Sequence, residues 1–260
     1  MRAMYTAATG MDAQTIRIDT VANNLANANT AGFKKSQVDF ADLMYIVMRR
    51  PGGSQTEATQ TPTGLEVGTG VSPVSTLRIF TEGAIANTEG ELDMAIMGDG
   101  FFQVETPTGE TKYTRDGNFR IGPDGIVVTS QGYPLYPRVS IPTDTTSIAV
   151  GSDGTVTVTT PGSDPTQVGT IELAKFTNPA GLSSEGGNLF AETVASGPAT
   201  TAAPGQQGLG EVKQGYLEMS NVDVVTELVD LIIAQRTYEL NSKVVKAGDR
   251  ILQAINYIVS

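Results

Sequence analysis

Both ends of this chain carry an apolar repeat of seven residues, and the long stretch between them does not. Met4, Met11, Ile18 and Leu25 fall at that spacing near the start; Val224, Leu231, Tyr238, Val245, Leu252 and Val259 do so near the end. Seven residues make almost two helical turns, so such a repeat draws one stripe along a helix as a seam for another helix. The spacing predicts one helix over 3–28, roughly 40 Å long, and a second from about 220 to 258, roughly 55 Å long. Asn27, Asn29, Thr30 and Gly32 supply a stop for the first, and Ser220-Asn221 a start for the second. Gln14 and Thr15 interrupt one stripe; Gln235, Asn241 and Ser242 weaken the other. Neither stripe suits an autonomous coiled coil, and both helices need neighbours to bury them.

The middle reads as strands. Phe101–Val104 and Lys112–Thr114 flank Pro107-Thr108-Gly109; Phe119–Ile121 and Ile126–Val128 flank Gly122-Pro123-Asp124-Gly125; Ile148–Val150 and Thr155–Val158 flank Gly151-Ser152-Asp153-Gly154. Asp-Gly pairs between β-branched runs are a strong hairpin signal. The segment 33–48 fits either a short helix or an extended strand. Pro51–Gly64 holds almost no apolar residue and fits a disordered stretch or a long hairpin tip. The expected class is α+β, mainly β with helical termini. A discontinuous terminal-helix domain (1–32 plus 221–260) joins, through a connecting segment (33–74 plus 211–220), an antiparallel β domain (75–210).

Composition narrows the function. Among 260 residues there is no Cys, His or Trp. That removes disulfides, thiolate nucleophiles, Cys-ligated zinc and the commonest neutral-pH general base. Seventeen basic residues against 28 acidic ones give a net charge of −11, with no basic run, which argues against a nucleic-acid groove. The N-terminus lacks the apolar run of a cleaved secretory leader, and no stretch matches a membrane span. No cofactor or metal is expected: Gly98-Asp99-Gly100 and Asp116-Gly117-Asn118 lack the regular oxygen array of a calcium loop and read as hairpin turns. Asp99 and Asp116 are a nominal carboxylate pair for glycoside chemistry, but nothing in the spacing puts them in one cleft.

Four segments carry a resemblance. ANNLANANTAGFKK (22–35), GDGFFQV (98–104), YTRDGNF (113–119) and QGYLEMSNVDVVTELVDLIIAQRTYELNSKVVKAGDRILQAI (214–255) resemble the bacterial flagellar axial family, which includes rod and hook subunits. The similarity spans nearly the whole chain. Its motif positions are Asn23, Asn24, Leu25, Asn27, Gly32, Phe33, Ser220, Asn221, Gln235, Arg236, Tyr238 and Glu239. The length and the stretch 45–71 are most similar to the distal-rod branch. Tyr45, Arg49, Arg50, Pro51, Gly52 and Pro62 mark that insert, although its tip, Pro-Gly-Gly-Ser-Gln-Thr-Glu, is a small departure.

The resemblance implies a structural subunit of the distal rod and not an enzyme. Such subunits polymerise into a stiff helical tube that carries motor torque across the periplasm to the hook and serves as an export conduit. Implied partners are further copies of the chain, proximal rod proteins, the hook protein, the outer-membrane and peptidoglycan ring proteins, and the flagellar type III export apparatus. Nucleic acid and direct membrane insertion are not implied. The location is the basal body, reached without a cleaved signal peptide. Phe40 and Met44 fit the short aromatic-x-x-x-apolar signal of early export substrates, with core packing as the competing reading. Asn23, Asn27, Gln235, Asn241 and Ser242 offer a polar wall for the conduit, or else are ordinary solvated helix faces. Arg49-Arg50 offers a bridge to acidic neighbours, or else a solvated loop. Two other readings compete: a proximal-rod or hook-type subunit, and a β-rich adhesin or carbohydrate-binding module.

Overall fold

A computed structural model describes residues 2–49, 54–56, 59–60 and 63–259. Two helices bracket a run of short strands, all paired antiparallel where a register is defined. The chain divides into two compact units: one of residues 1–25, 36–77 and 223–260, the other of 26–35 and 78–222.

The first unit holds helix α1 (Arg2–Ala26) and helix α2 (Val224–Val259). The cap of α2 differs from the expected one. Asp223, not Ser220 or Asn221, caps it: its Oδ1 accepts from the N–H groups of Val225 at 2.9 Å and Thr226 at 3.3 Å. An aspartate there answers two of the unpaired N–H groups of the first turn and the positive end of the helix dipole. The segment after α1 is extended rather than helical. Ser36–Asp42 pairs with Val71–Arg78, and Ile46–Arg49 with Leu65–Val67. Beyond them Ser54–Thr56 pairs with Thr59–Gln60, and the rest of the polar stretch before Thr63 lies outside the described residues.

The second unit is built on a seven-stranded sheet. Its central strand, Phe101–Glu105, pairs with Thr111–Thr114 on one edge and with both Leu173–Lys175 and Leu135–Tyr136 on the other. Alternation along that strand sends Phe102 and Val104 into one cluster, with Phe119, Leu135, Val156 and Leu173. It sends Phe101 into another, with Tyr113, Phe176 and Phe190. Both faces are thereby covered, which suits an unbroken Phe-Phe-Gln-Val run better than a half-exposed strand would. The predicted hairpins 119–128 and 148–158 are present. Gly98-Asp99-Gly100 and Asp116-Gly117-Asn118 are not hairpin turns. The first links the strand Met94–Met97, paired with Glu211–Gln214, to the central strand; the second links Thr111–Thr114 to Phe119–Ile121.

Candidate assembly surface

In the first unit α1 and α2 run antiparallel, as the order of their contacts shows. Met4 rests on Gly248 and Asn241 on Gly10: a Cβ built on Gly248 would fall 2.7 Å from Met4 Cγ, and one built on Gly10 2.7 Å from Asn241 Nδ2. Farther along, Arg17 Nη2 donates to Asp230 Oδ1 at 2.9 Å, and Asn24 Nδ2 to Glu227 Oε2 at 3.2 Å. Ala13 and Ala234 are buried along the pair. Small residues thus receive side chains of the facing helix, and the seam is pinned by polar contacts at one end, where α1 finishes and α2 begins.

The residues of the seven-residue repeats meet this seam unevenly. Met4, Met11, Ile18, Leu25, Leu231, Val245 and Leu252 are half-buried; Val224 and Tyr238 are exposed. A second apolar stripe on α2 lies outside the seam. Val229, Ile233, Leu240, Val244 and Ile251 follow one another at steps of four and seven and are between 46% and 60% exposed. Steps of four and seven keep residues on one side of a helix, so these aliphatic groups form a continuous face. Since each is already about half covered, leaving the rest of these five side chains in water forgoes about 1 kcal/mol each.

Asn24 is the most constrained motif residue. It is 2% exposed, and its amide makes a pair of bonds with one residue: Nδ2 donates to Ser36 O at 2.8 Å and Oδ1 accepts from Ser36 N–H at 2.9 Å. The side chain so imitates a strand neighbour and fixes where the extended segment leaves α1. Asn23 is exposed, and Asn27 accepts from Thr30 Oγ1 at 3.3 Å just past the helix. Gln235, Arg236 and Glu239 are exposed on α2, where Arg236 pairs with Glu239 at 3.6 Å. Asn241 sits in the seam and Ser242 beside it is half-buried.

Within the second unit the remaining motif residues gather around a buried charge cluster that sequence reasoning missed. Glu218 is 1% exposed and its carboxylate accepts from Lys34 Nζ, from Arg115 Nη1 at 3.2 Å and from Gly83 N–H at 3.0 Å. Lys34, fully buried, also donates to Thr81 O at 2.6 Å; Arg115 donates to Gly98 O at 2.8 Å. Burial pulls the Lys34 ammonium below the ordinary lysine range, with Glu218 opposing the shift, and it lowers Arg115 in the same way. One carboxylate therefore holds two desolvated cations. Around it Gly32 N–H donates to Glu218 O at 2.8 Å, Asn221 Oδ1 accepts from Lys35 N–H at 2.8 Å, and Asn221 Nδ2 donates to Ile79 O at 2.9 Å. That use of Asn221 explains why it does not cap α2. Phe33 is buried under the Arg78 guanidinium, 5.6 Å from its ring centre, and Ser220 is buried nearby in sequence. Gly32 has φ +68°, and a Cβ there would lie 2.5 Å from Asp116 N.

Of the insert residues, Tyr45 is 52% exposed and Arg49 ends an exposed strand; Arg50, Pro51, Gly52 and Pro62 lie outside the described residues. Phe40 is half-buried in its strand, whereas Met44 is 88% exposed. Asp99 pairs with Lys175 at 3.1 Å, while Asp116 accepts from Asn118 N–H at 3.1 Å, so the two carboxylates serve different local contacts. Among the described residues no helix is long and apolar enough to cross a membrane.

Known proteins match this sequence over nearly its whole length. The model described as flagella basal body rod protein matches residues 4–34, that of the flagellar hook protein FlgE/F/G D1 domain matches 95–158, and that of the flagellar basal body rod FlgEFG protein C-terminal matches 213–258. The flagellar basal-body rod protein FlgG of Borreliella burgdorferi is 46% identical, over 98% of both chains. Its namesake in Caulobacter vibrioides is 45% identical over the full length of both. The one in Buchnera aphidicola subsp. Baizongia pistaciae is 44% identical over 98% of this chain and 99% of its own.

Proposed function

The chain belongs to the flagellar basal-body rod protein family, and on that premise we propose that it builds the distal part of the rod by polymerising through its terminal helices. It is a structural subunit of the rod. The observation that carries the mechanism is the aliphatic face on α2, Val229 to Ile251, which the chain's own α1 leaves uncovered. A head-to-tail contact that does not close into a ring repeats as an open helix, and such a face supplies the contact. The family models matched at both ends include the two helices.

The tube so formed transmits torque to the hook and conducts exported chains, and the insert in the stretch 45–71 extends along neighbouring copies and stiffens it. Phe40 and Met44 present the chain to the export gate. Proximal rod proteins, the hook protein and the outer-membrane and peptidoglycan ring proteins are its neighbours in the basal body. The subunit works without turnover: its buried charges serve one another rather than a substrate.

Truncation before Asp223 tests this reading. The shortened chain should fold its β unit, stay monomeric, and fail to restore motility to cells lacking the full-length protein. Rods assembled from the shortened chain would overturn it.

A further inference from the structure

Beside the apolar face, each helix carries a charged ridge of opposite sign. A helix turns about 100° per residue, so residues seven apart return to nearly the same side. On α1 that places Tyr5, Asp12 and Asp19 on one outward ridge; all three are exposed. On α2 it places Arg236, Lys243 and Arg250 on another, also exposed. Arg236 is engaged with Glu239 on its own helix. Among the described residues Asp12, Asp19, Lys243 and Arg250 enter no ion pair. Lys246, exposed next to the α2 ridge, adds positive charge, while Asp249 is tied to Gln253 at 3.0 Å.

We propose that the Asp12–Asp19 ridge of one copy docks on the Lys243–Arg250 ridge of a second copy of this chain. The inference rests on the polymer reading above and adds the register. The acidic pair and the free basic pair have the same spacing of seven residues, or about 10.5 Å along a helix. A second copy in the same orientation presents its α2 antiparallel to the first copy's α1, because the two helices are antiparallel within each copy. Antiparallel pairing with both charges matched joins Asp12 to Arg250 and Asp19 to Lys243. The alternative register, one heptad along, would require Arg236 to leave Glu239. Leu240 and Ala247 lie between the basic residues, so the ridge remains close to the aliphatic face, and the ion pairs select the partner while that face supplies the adhesion.

Reversal and exchange of the charges in the full-length chain test this. Three variants suffice: D12K/D19K, K243E/R250E, and all four together, each checked for helix content and assayed for polymer by sedimentation over a concentration series. Each two-site reversal should raise the concentration needed for assembly by about tenfold or more, since two exposed pairs are lost and like charges are opposed. The four-site exchange should bring it back to within about threefold of the starting chain. D12N/D19N, which removes charge without repulsion, should assemble with little dependence on salt. Two-site reversals that assemble like the starting chain, or an exchange that rescues nothing, overturn the register while leaving the polymer reading intact. A starting chain that polymerises under no condition removes both.

Discussion

Asn24 and Glu227, 203 positions apart in the chain, meet in a buried hydrogen bond of 3.2 Å, Nδ2 donating to Oε2. The same asparagine closes a two-bond ring with Ser36. One side chain thus ties the end of α1, the start of α2 and the first strand together. Asn24→Asp keeps the size but turns a donor into a second carboxylate facing Glu227. Unsatisfied buried groups cost about 1–3 kcal/mol each and more when charged, so N24D should lose about 3 kcal/mol at neutral pH, and N24A somewhat less. Urea unfolding of the full chain, followed by far-UV circular dichroism, checks the order.

Glu218 should be the most sensitive position of the second unit. Removing its carboxylate leaves Lys34 and Arg115 buried without a counter-charge. Breaking such a pair from one side costs about 3–5 kcal/mol, whereas replacing the whole group by apolar residues is often neutral. E218A should therefore unfold the second unit at markedly lower denaturant, and E218A combined with K34M and R115M should recover part of the loss. A triple variant worse than E218A would show that the cluster acts through packing instead.

Gly32 stands at φ +68° with its α-carbon hydrogens against the backbone of Asp116. Gly32→Ala adds a left-handed conformation for a residue with a Cβ, about 1 kcal/mol, and a contact that only backbone movement relieves. A loss of about 2 kcal/mol or more is expected in the same unfolding assay.

Asp116 predicts a pH effect. Burial raises its pKa, with the Asn118 N–H opposing the shift and Asp93 adding to it. A carboxyl whose folded pKa lies above its unfolded value favours the folded state most at low pH and loses that contribution as pH rises through the folded value. Asp116→Asn removes the titration. D116N should match the parent chain below the unfolded aspartate pKa and become progressively more stable than it as pH rises toward neutrality. Thermal unfolding at pH 3 and pH 7 for both chains measures the gap.

The helices, the hairpins at 119–128 and 148–158 and the strand-rich middle were legible because each is signalled locally, by a seven-residue period or an Asp-Gly turn between β-branched runs. The Lys34–Glu218–Arg115 cluster was not. Its members are up to 184 positions apart, and a lone Lys or Glu in a motif reads as a surface charge until the fold brings its partner. The start of α2 was misplaced for a similar reason: Asn221 has the chemistry of a cap, but Lys35, Ile79 and Thr81 engage its amide first, and Asp223 takes the role. The apolar repeats located the helices but not their outward faces. Small residues in the antiparallel seam receive side chains of the facing helix, and the stripe from Val229 to Ile251 is left facing away.

That uncovered stripe is tested most directly by electron microscopy of the purified full-length chain beside a variant with Val229, Ile233, Leu240, Val244 and Ile251 replaced by Ser. Because these side chains are exposed in the single copy, the variant should keep a folded β unit and remain monomeric. The parent chain should form long tubes under the same conditions. Tubes of equal length and abundance from both chains would contradict assembly through the terminal helices.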